Sequence, residues 1–215
     1  MHAIIHIGTA KTGTTSIQRF FSDNRALLQE QGYLYPRSLS AGDPTAHNYA
    51  HNQLARKLLG AQGGDMLAPL QAEIAACGAN KGIIISAEML SHFMDTPAQV
   101  CSLQDFLQPL DCDDITIAVW LREQGAMFSS LCSQDLRNGE MAWAHVLPPR
   151  NNVRFRFSMD YRELLQRWMA VFGRQAMQVR LFEREGFVQG DLQHDAVDAF
   201  GLEWDERFTH PPPPQ

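Results

Sequence analysis

Lysine is scarce in this chain. Of the 18 basic residues in 215, only Lys11, Lys57 and Lys81 are lysine, and the acidic excess gives a formal net charge of −6. That balance excludes a general nucleic-acid surface. Cysteine is scarce too: Cys77, Cys101, Cys112 and Cys132 show no C-x-x-C spacing. They are expected to be reduced, mostly packed thiols of a cytoplasmic protein, not a disulfide framework. No apolar run approaches the ~20 residues that span a bilayer, so no transmembrane segment is expected. The first apolar run starts at about residue 3, so no secretory leader is expected. There is no internal repeat. What is present is a 45% apolar composition over a length sufficient for one α/β domain with a full core.

Short apolar runs alternate with helical patterns along the chain. Strands are predicted at residues 3–7, 81–86, 115–120 and 177–182, with Tyr33 to Pro36 as a further short extended piece. Lys81 to Ser86 (KGIIIS) is apolar without alternation, as in a strand buried on both faces. Helices are predicted at 14–31, 48–59, about 66–77, 97–110, 124–137, 161–172 and 191–200. Capping boxes at Thr96–Gln99 and Asp160–Glu163 mark two of their starts. Residues 138–152 read as a long loop, and Val153, Phe155 and Phe157, alternating with Arg154 and Arg156, as an edge strand or extended loop. Such alternation of strands and helices implies parallel pairing with right-handed crossovers. One domain is expected over residues 1–209, followed by a Pro-rich tail at 210–215.

The stretch that carries chemistry is HIGTAKTGTTSIQRFF, His6 to Phe21. It reads strand, Gly-rich loop, helix. Gly8 and Gly13 allow the backbone to curl with its N–H groups inward. The following helix adds its unpaired N–H groups and the positive end of its dipole. Thr14, Thr15 and Ser16 supply hydroxyls, and Lys11 a full charge. This set suits a phosphate or sulfate group. The glycine spacing is that of a Walker A loop, but Thr14 stands where a nucleotide triphosphatase has lysine, and the lysine has moved to position 11. Ligands of parallel sheets sit at the C-terminal strand ends. Ser86-Ala87-Glu88 and Arg122 are expected at those ends with the loop.

The run KTGTTS at 11–16 resembles the 5′-phosphosulfate loop of sulfotransferases that use 3′-phosphoadenosine 5′-phosphosulfate (PAPS). Arg122 and Ser130, the latter on the following helix, have the R-x7-S spacing by which that family grips the 3′-phosphate, with Ser129 as the neighbouring alternative. The runs LREQGAMFSSLCSQ, DYRELLQRWMAVFG and LFERE resemble bacterial carbohydrate-type members. The resemblance spans roughly residues 3 to 186. It implies a three-layer P-loop-like α/β fold with a central, mainly parallel sheet of about 4–5 strands flanked by helices. It also implies a PAPS donor held by Lys11, Thr12, Gly13, Thr14, Thr15, Ser16, Arg122 and Ser130, with Lys11 stabilising the leaving phosphate oxygen. A carbohydrate hydroxyl is the implied acceptor, and no metal is required.

The acceptor needs a base within hydrogen-bond reach. Glu88, after a core strand at the site end, and His51, at a helix start between the first two strands, are the two candidates; the resemblance allows either. His47 and His51 have i,i+4 spacing but no third metal ligand of matching pattern. Arg154 and Arg156 could contact an anionic ligand, and Trp143 and His145 could line an acceptor cleft. Two other readings stay open. One is a P-loop nucleoside or small-molecule kinase, against which the displaced lysine and missing Walker B Asp count. The other is a non-catalytic nucleotide-binding remnant of the fold.

Overall fold

The first apolar run becomes β1 (His2–His6) and takes the centre of the sheet. In the computed structural model, residues 1–40, 49–61, 64–78, 80–139 and 159–211 are described. β1 pairs with β3 (Gly82–Ser86) on one side and with β4 (Asp114–Leu121) on the other. Two shorter strands, β2 (Tyr33–Leu34) and β5 (Met177–Leu181), form the edges. The order is β2-β3-β1-β4-β5, and every pairing is parallel. His6 lies opposite Ser86 and Ala118 in the register, so the loop after β1 emerges between the ends of its two neighbours.

Nine α-helices among the described residues complete the layers. They are α1 (Thr14–Asp23), α2 (Arg25–Glu30), α3 (Asn52–Leu58), α4 (Leu67–Cys77), α5 (Glu88–Phe93), α6 (Pro97–Leu107), α7 (Gln124–Arg137), α8 (Tyr161–Phe172) and α9 (Leu192–Ala199). Side chains alternate across a strand, and here both faces are covered. Ala3, Ile5, Ile85 and Val119 face one core with Leu54 of α3, Leu103 of α6 and Trp168 of α8. Ile4, Ile84 and Trp120 face the other with Ile17, Phe20 and Phe21 of α1 and Ala196 of α9. This is the expected three-layer P-loop-like architecture, with five strands. No helix among the described residues is long and apolar enough to cross a membrane.

Two local expectations change. The helix expected over 14–31 breaks at Asn24, whose amide donates to the Phe20 carbonyl at 2.8 Å and to the Thr209 carbonyl at 3.0 Å. Thr209 N–H donates back to Asn24 Oδ1 at 2.8 Å. A contact from near the chain end therefore divides a continuous helical pattern. The helix expected from 48 begins at Asn52, because His51 N–H is drawn to the Ser86 carbonyl at 2.9 Å. Thr96 caps α6 through Gln99 N–H, reciprocated by the Gln99 side chain, and Asp160 caps α8 through Glu163 N–H at 3.0 Å. The alternating segment 153–157 and residues 140–152 lie outside the described residues.

One buried polar cluster locks β4, β5 and α9 together. Trp120 Nε1 donates to Asp195 Oδ2 at 2.7 Å, and Arg180 Nη1 donates to Asp195 Oδ1 at 3.0 Å. Asp195 is only 1% exposed. Removing one partner of a buried, hydrogen-bonded charge leaves the rest uncompensated. Asp195→Ala should therefore lower unfolding stability by about 3–5 kcal/mol, read as a lower denaturation midpoint with the slope unchanged.

Candidate functional site

The loop between β1 and α1 is held open by tying back its carbonyl oxygens. Ser91 Oγ, from α5, donates to the Gly8 carbonyl. Thr12 Oγ1 and Thr14 Oγ1 donate to the Thr9 carbonyl at 2.7 and 3.1 Å. Arg122 Nη1 donates to the Lys11 carbonyl at 3.0 Å. Thr9 Oγ1 donates to the Trp120 carbonyl at 2.6 Å, tying the loop to β4. Lys11 itself has φ +61°, a left-handed conformation that costs a non-glycine residue free energy. The Arg122 bond helps hold it there. Gly13, with φ +72°, opens α1, and a Cβ at Gly13 would run into the Leu192 side chain.

With the carbonyls turned away, backbone donors remain. No side chain caps α1, and the N–H groups of Gly13, Thr14, Thr15 and Ser16 have no protein acceptor among the described residues. Such orphan donors at a helix start, with the dipole behind them, form an anion cradle. Lys11, Gly13, Thr14, Thr15 and Ser16 line a cavity of about 310 Å³ together with Glu88 and Gln134. Five of the expected donor-binding residues thus share one wall. Thr12 is buried with its hydroxyl spent on the Thr9 carbonyl, so its side chain shapes the loop and does not face the cavity.

Glu88 starts α5 directly after β3 and Ala87. Burial pushes its carboxyl pKa up, and the nearby Lys11 ammonium partly offsets that. Its carboxylate accepts no hydrogen bond from any described residue. A carboxyl without donors in a desolvated place holds protons more readily than one in water. Lys11 Nζ donates to Gln134 Oε1 at 2.8 Å. Gln134 lies on α7, one turn after Ser130 and on the side that carries Leu131 toward the loop residue Ala10. A second cavity, about 200 Å³, shares Lys11, Glu88 and Gln134 with the first.

The structure does not bring every candidate to this place. His51 is removed from the base role. Its ring is fully buried; Nε2 is 2.8 Å from the Pro36 carbonyl and Nδ1 accepts from Ser86 N–H at 2.9 Å. Both nitrogens are engaged in holding the chain against β3, and no atom is left for an acceptor. His47, which shares the i,i+4 spacing with it, lies outside the described residues. No cluster of three His, Cys, Asp or Glu side chains is disposed for a metal among the described residues. Arg122 sits with its guanidinium 5.6 Å above the Phe182 ring and one Nη1 hydrogen on the loop. Ser130 is half-buried, and Ser129, the alternative, donates to the Gly125 carbonyl at 2.9 Å. Neither Arg122 nor Ser130 lines the two cavities. Trp143, His145, Arg154 and Arg156 lie outside the described residues.

Gln134 escaped the sequence reading. A glutamine on a helix carries no chemical signature, and its partner is 123 positions away. The one available signal was its helical position, a turn beyond Ser130.

Neither a protein-family model nor a curated protein matches this chain by sequence. Among solved structures, the crystal structure of a sulfotransferase from Alicyclobacillus acidocaldarius is similar, with a TM-score of 0.54 over 93% of this chain and 81% of that one, at 16% identity. At that identity the likeness establishes the fold.

Beneath the loop, His6 Nδ1 is 2.8 Å from Ser86 Oγ, and burial lowers both His6 and His51 to pKa values of about 3. From pH 6.5 down to about 3 the unfolded chain takes up protons there that the folded one refuses. Their contribution to stability is complete above pH 6.5 and is lost progressively as the pH falls through that window. In ¹⁵N-resolved imidazole spectra, His6 and His51 should show no titration between pH 8 and 5. A titration midpoint near 6.5 for His51 would show that its ring is not held as described.

Proposed function

We propose that this chain is a sulfotransferase that takes PAPS as donor and a hydroxyl compound as acceptor. One observation carries the reading: Lys11 and Glu88, a cation and a carboxylate of raised pKa, face the same cavity whose floor is the unpaired N–H groups of the KTGTTS loop. The fold shared with a sulfotransferase structure supports it.

Each residue then has a defined task. The loop N–H groups with Thr14, Thr15 and Ser16 would hold the 5′-phosphosulfate, while Thr12 holds the loop itself. Arg122, with hydrogens beyond the one given to Lys11, and Ser130 would take the 3′-phosphate. The acceptor oxygen attacks sulfur as the bond from sulfur to the bridging phosphate oxygen breaks. The electron pair of that bond leaves with adenosine 3′,5′-bisphosphate, where Lys11 stabilises the oxygen that gains charge. The acceptor proton passes to the Glu88 carboxylate. The scheme needs positioning and fixed charge, which this rigid loop provides. The resemblance implies a carbohydrate as the acceptor, and the four unbridged cysteines point to a cytoplasmic setting.

Calorimetry with adenosine 3′,5′-bisphosphate tests the donor site. Metal-independent binding, tighter than that of ATP with Mg²⁺, is expected; preference for Mg-ATP would move the assignment to a kinase. Arg122→Ala should weaken the 3′,5′-bisphosphate more than adenosine 5′-phosphosulfate, and an equal loss would leave Arg122 with its loop-supporting role alone.

Two substitutions test the chemistry. Glu88→Gln should lower kcat by about 10²–10⁴ with bisphosphate affinity little changed. A base must be deprotonated to act, so the raised Glu88 pKa places the acid limb of the rate profile above the ordinary carboxylate range. Lys11→Ala should lower kcat by about 10²–10³ and move that limb to still higher pH, because it removes the charge that pulls Glu88 down. An acid limb at an ordinary carboxylate value in the unaltered protein would count against Glu88.

A further inference from the structure

The last strand of the sheet, β5, has a free side. It pairs with β4 along Met177 to Leu181, and no described residue pairs with its other edge. Phe182 N–H donates to the Leu121 carbonyl at 2.8 Å. The N–H and C=O of one residue point to the same side of a strand, and those of the next residue to the other side. So Gln178 and Arg180 spend theirs on β4, while Met177, Val179 and Leu181 turn theirs outward. From this edge we infer that two copies of the chain pair through β5, antiparallel about Val179, into one continuous sheet. The inference stands apart from the sulfotransferase reading.

Three observations favour a second copy as the partner. The first is register. Centred on Val179, the pairing sets Val179 opposite Val179, and Met177 opposite Leu181 in both directions. Each outward residue then meets another outward residue, and each such pair exchanges both of its N–H···O bonds. Any other centre leaves an outward group opposite a residue beyond the strand. The edge is thus its own complement, as a twofold interface requires.

The second is apolar surface on the same residues. Val179 is 41% and Leu181 62% exposed, two of the four large apolar side chains exposed among the described residues. Both lie on the face where Met177 joins the core with Trp168 of α8. Pairing sets Val179 beside its counterpart and Leu181 beside Met177, and such cross-strand contacts stabilise sheets. The third is charge. Arg180 points to the opposite face, where Asp195 and Asp198 hold its guanidinium. Its opposite number in the second copy is the uncharged Gln178, so no like charges meet across the strands. β5 also lacks the lysine, proline or bulge by which edge strands are kept apart. At the other edge of the sheet, β2 is only two residues long, and Pro36 follows closely.

Sedimentation velocity over a concentration series tests the pairing. One short strand makes a small interface of the weak class, so a dissociation constant of about 10 μM to 1 mM is expected. Val179→Pro removes an outward N–H and leaves the bonds to β4 intact. Leu181→Lys puts a charge on the free edge. Each should abolish the dimer at the highest concentration, with circular dichroism confirming that the variant is folded. Amide hydrogen exchange gives a second readout. The Val179 and Leu181 amides should exchange several-fold more slowly in concentrated than in dilute protein, while those of Gln178 and Arg180, bonded to β4, stay the same. A monomer throughout the series, or a dimer that both variants leave intact, overturns the inference. So does slow exchange of the Val179 amide at every concentration, which would give the edge to another segment of the same chain.

Discussion

An anion site cannot tolerate carbonyl oxygens on its wall, and this constraint organises the centre of the molecule. A tight loop exposes as many C=O as N–H groups unless something removes the former. Here the Gly8, Thr9 and Lys11 carbonyls are each taken by a side chain: Ser91, then Thr12 with Thr14, then Arg122. Two of those donors come from elements far along the chain. Ser91 rides on α5 after β3, and Arg122 follows β4, so the loop is shaped by both strands that flank β1. The parallel sheet is therefore the frame that turns backbone dipoles one way, with the bare N–H groups of α1 facing the cavity.

The same strand ends carry a second, fully buried layer. Ser86 closes β3 and binds His6 through its hydroxyl, His51 through its N–H, and the His51 N–H through its carbonyl. Burying two imidazoles is tolerable because they stay neutral and because three of their four nitrogens have partners. This layer fixes the chain that precedes α3 against the sheet, and with it Asn52 at the rim of the smaller cavity. Structural histidines below thus determine where one wall of the smaller cavity stands above.

The loop was legible in the sequence because all of its parts are contiguous: the glycines, the hydroxyls and Lys11 lie within nine residues. The position of Glu88 beside the loop was legible because it follows a core strand of a parallel sheet. The failures are all non-local. His51 looked like a free histidine at a helix start, and only its contacts to Pro36 and Ser86, 15 and 35 positions away, show it to be spent. The break in the first helix depends on Thr209, 185 residues from Asn24. Gln134 became part of the site through one bond to Lys11. β2, two residues long, read only as an extended piece, since its strand character comes from pairing with β3.

Lys11 and Glu88 bind the two halves of the proposed reaction into one electrostatic unit. The Lys11 ammonium lowers the Glu88 carboxyl pKa that burial raises. Lys11 Nζ is hydrogen-bonded to the neutral Gln134 and to no carboxylate among the described residues. It therefore keeps most of its field for an incoming anion. An anionic donor would draw on that field and so weaken the pull on Glu88, raising its basicity at the moment the acceptor proton must leave. The loop's side-chain ties make this coupling useful, because a cation and a base held in place by hydrogen-bonded elements need less reorganisation as charge shifts between them.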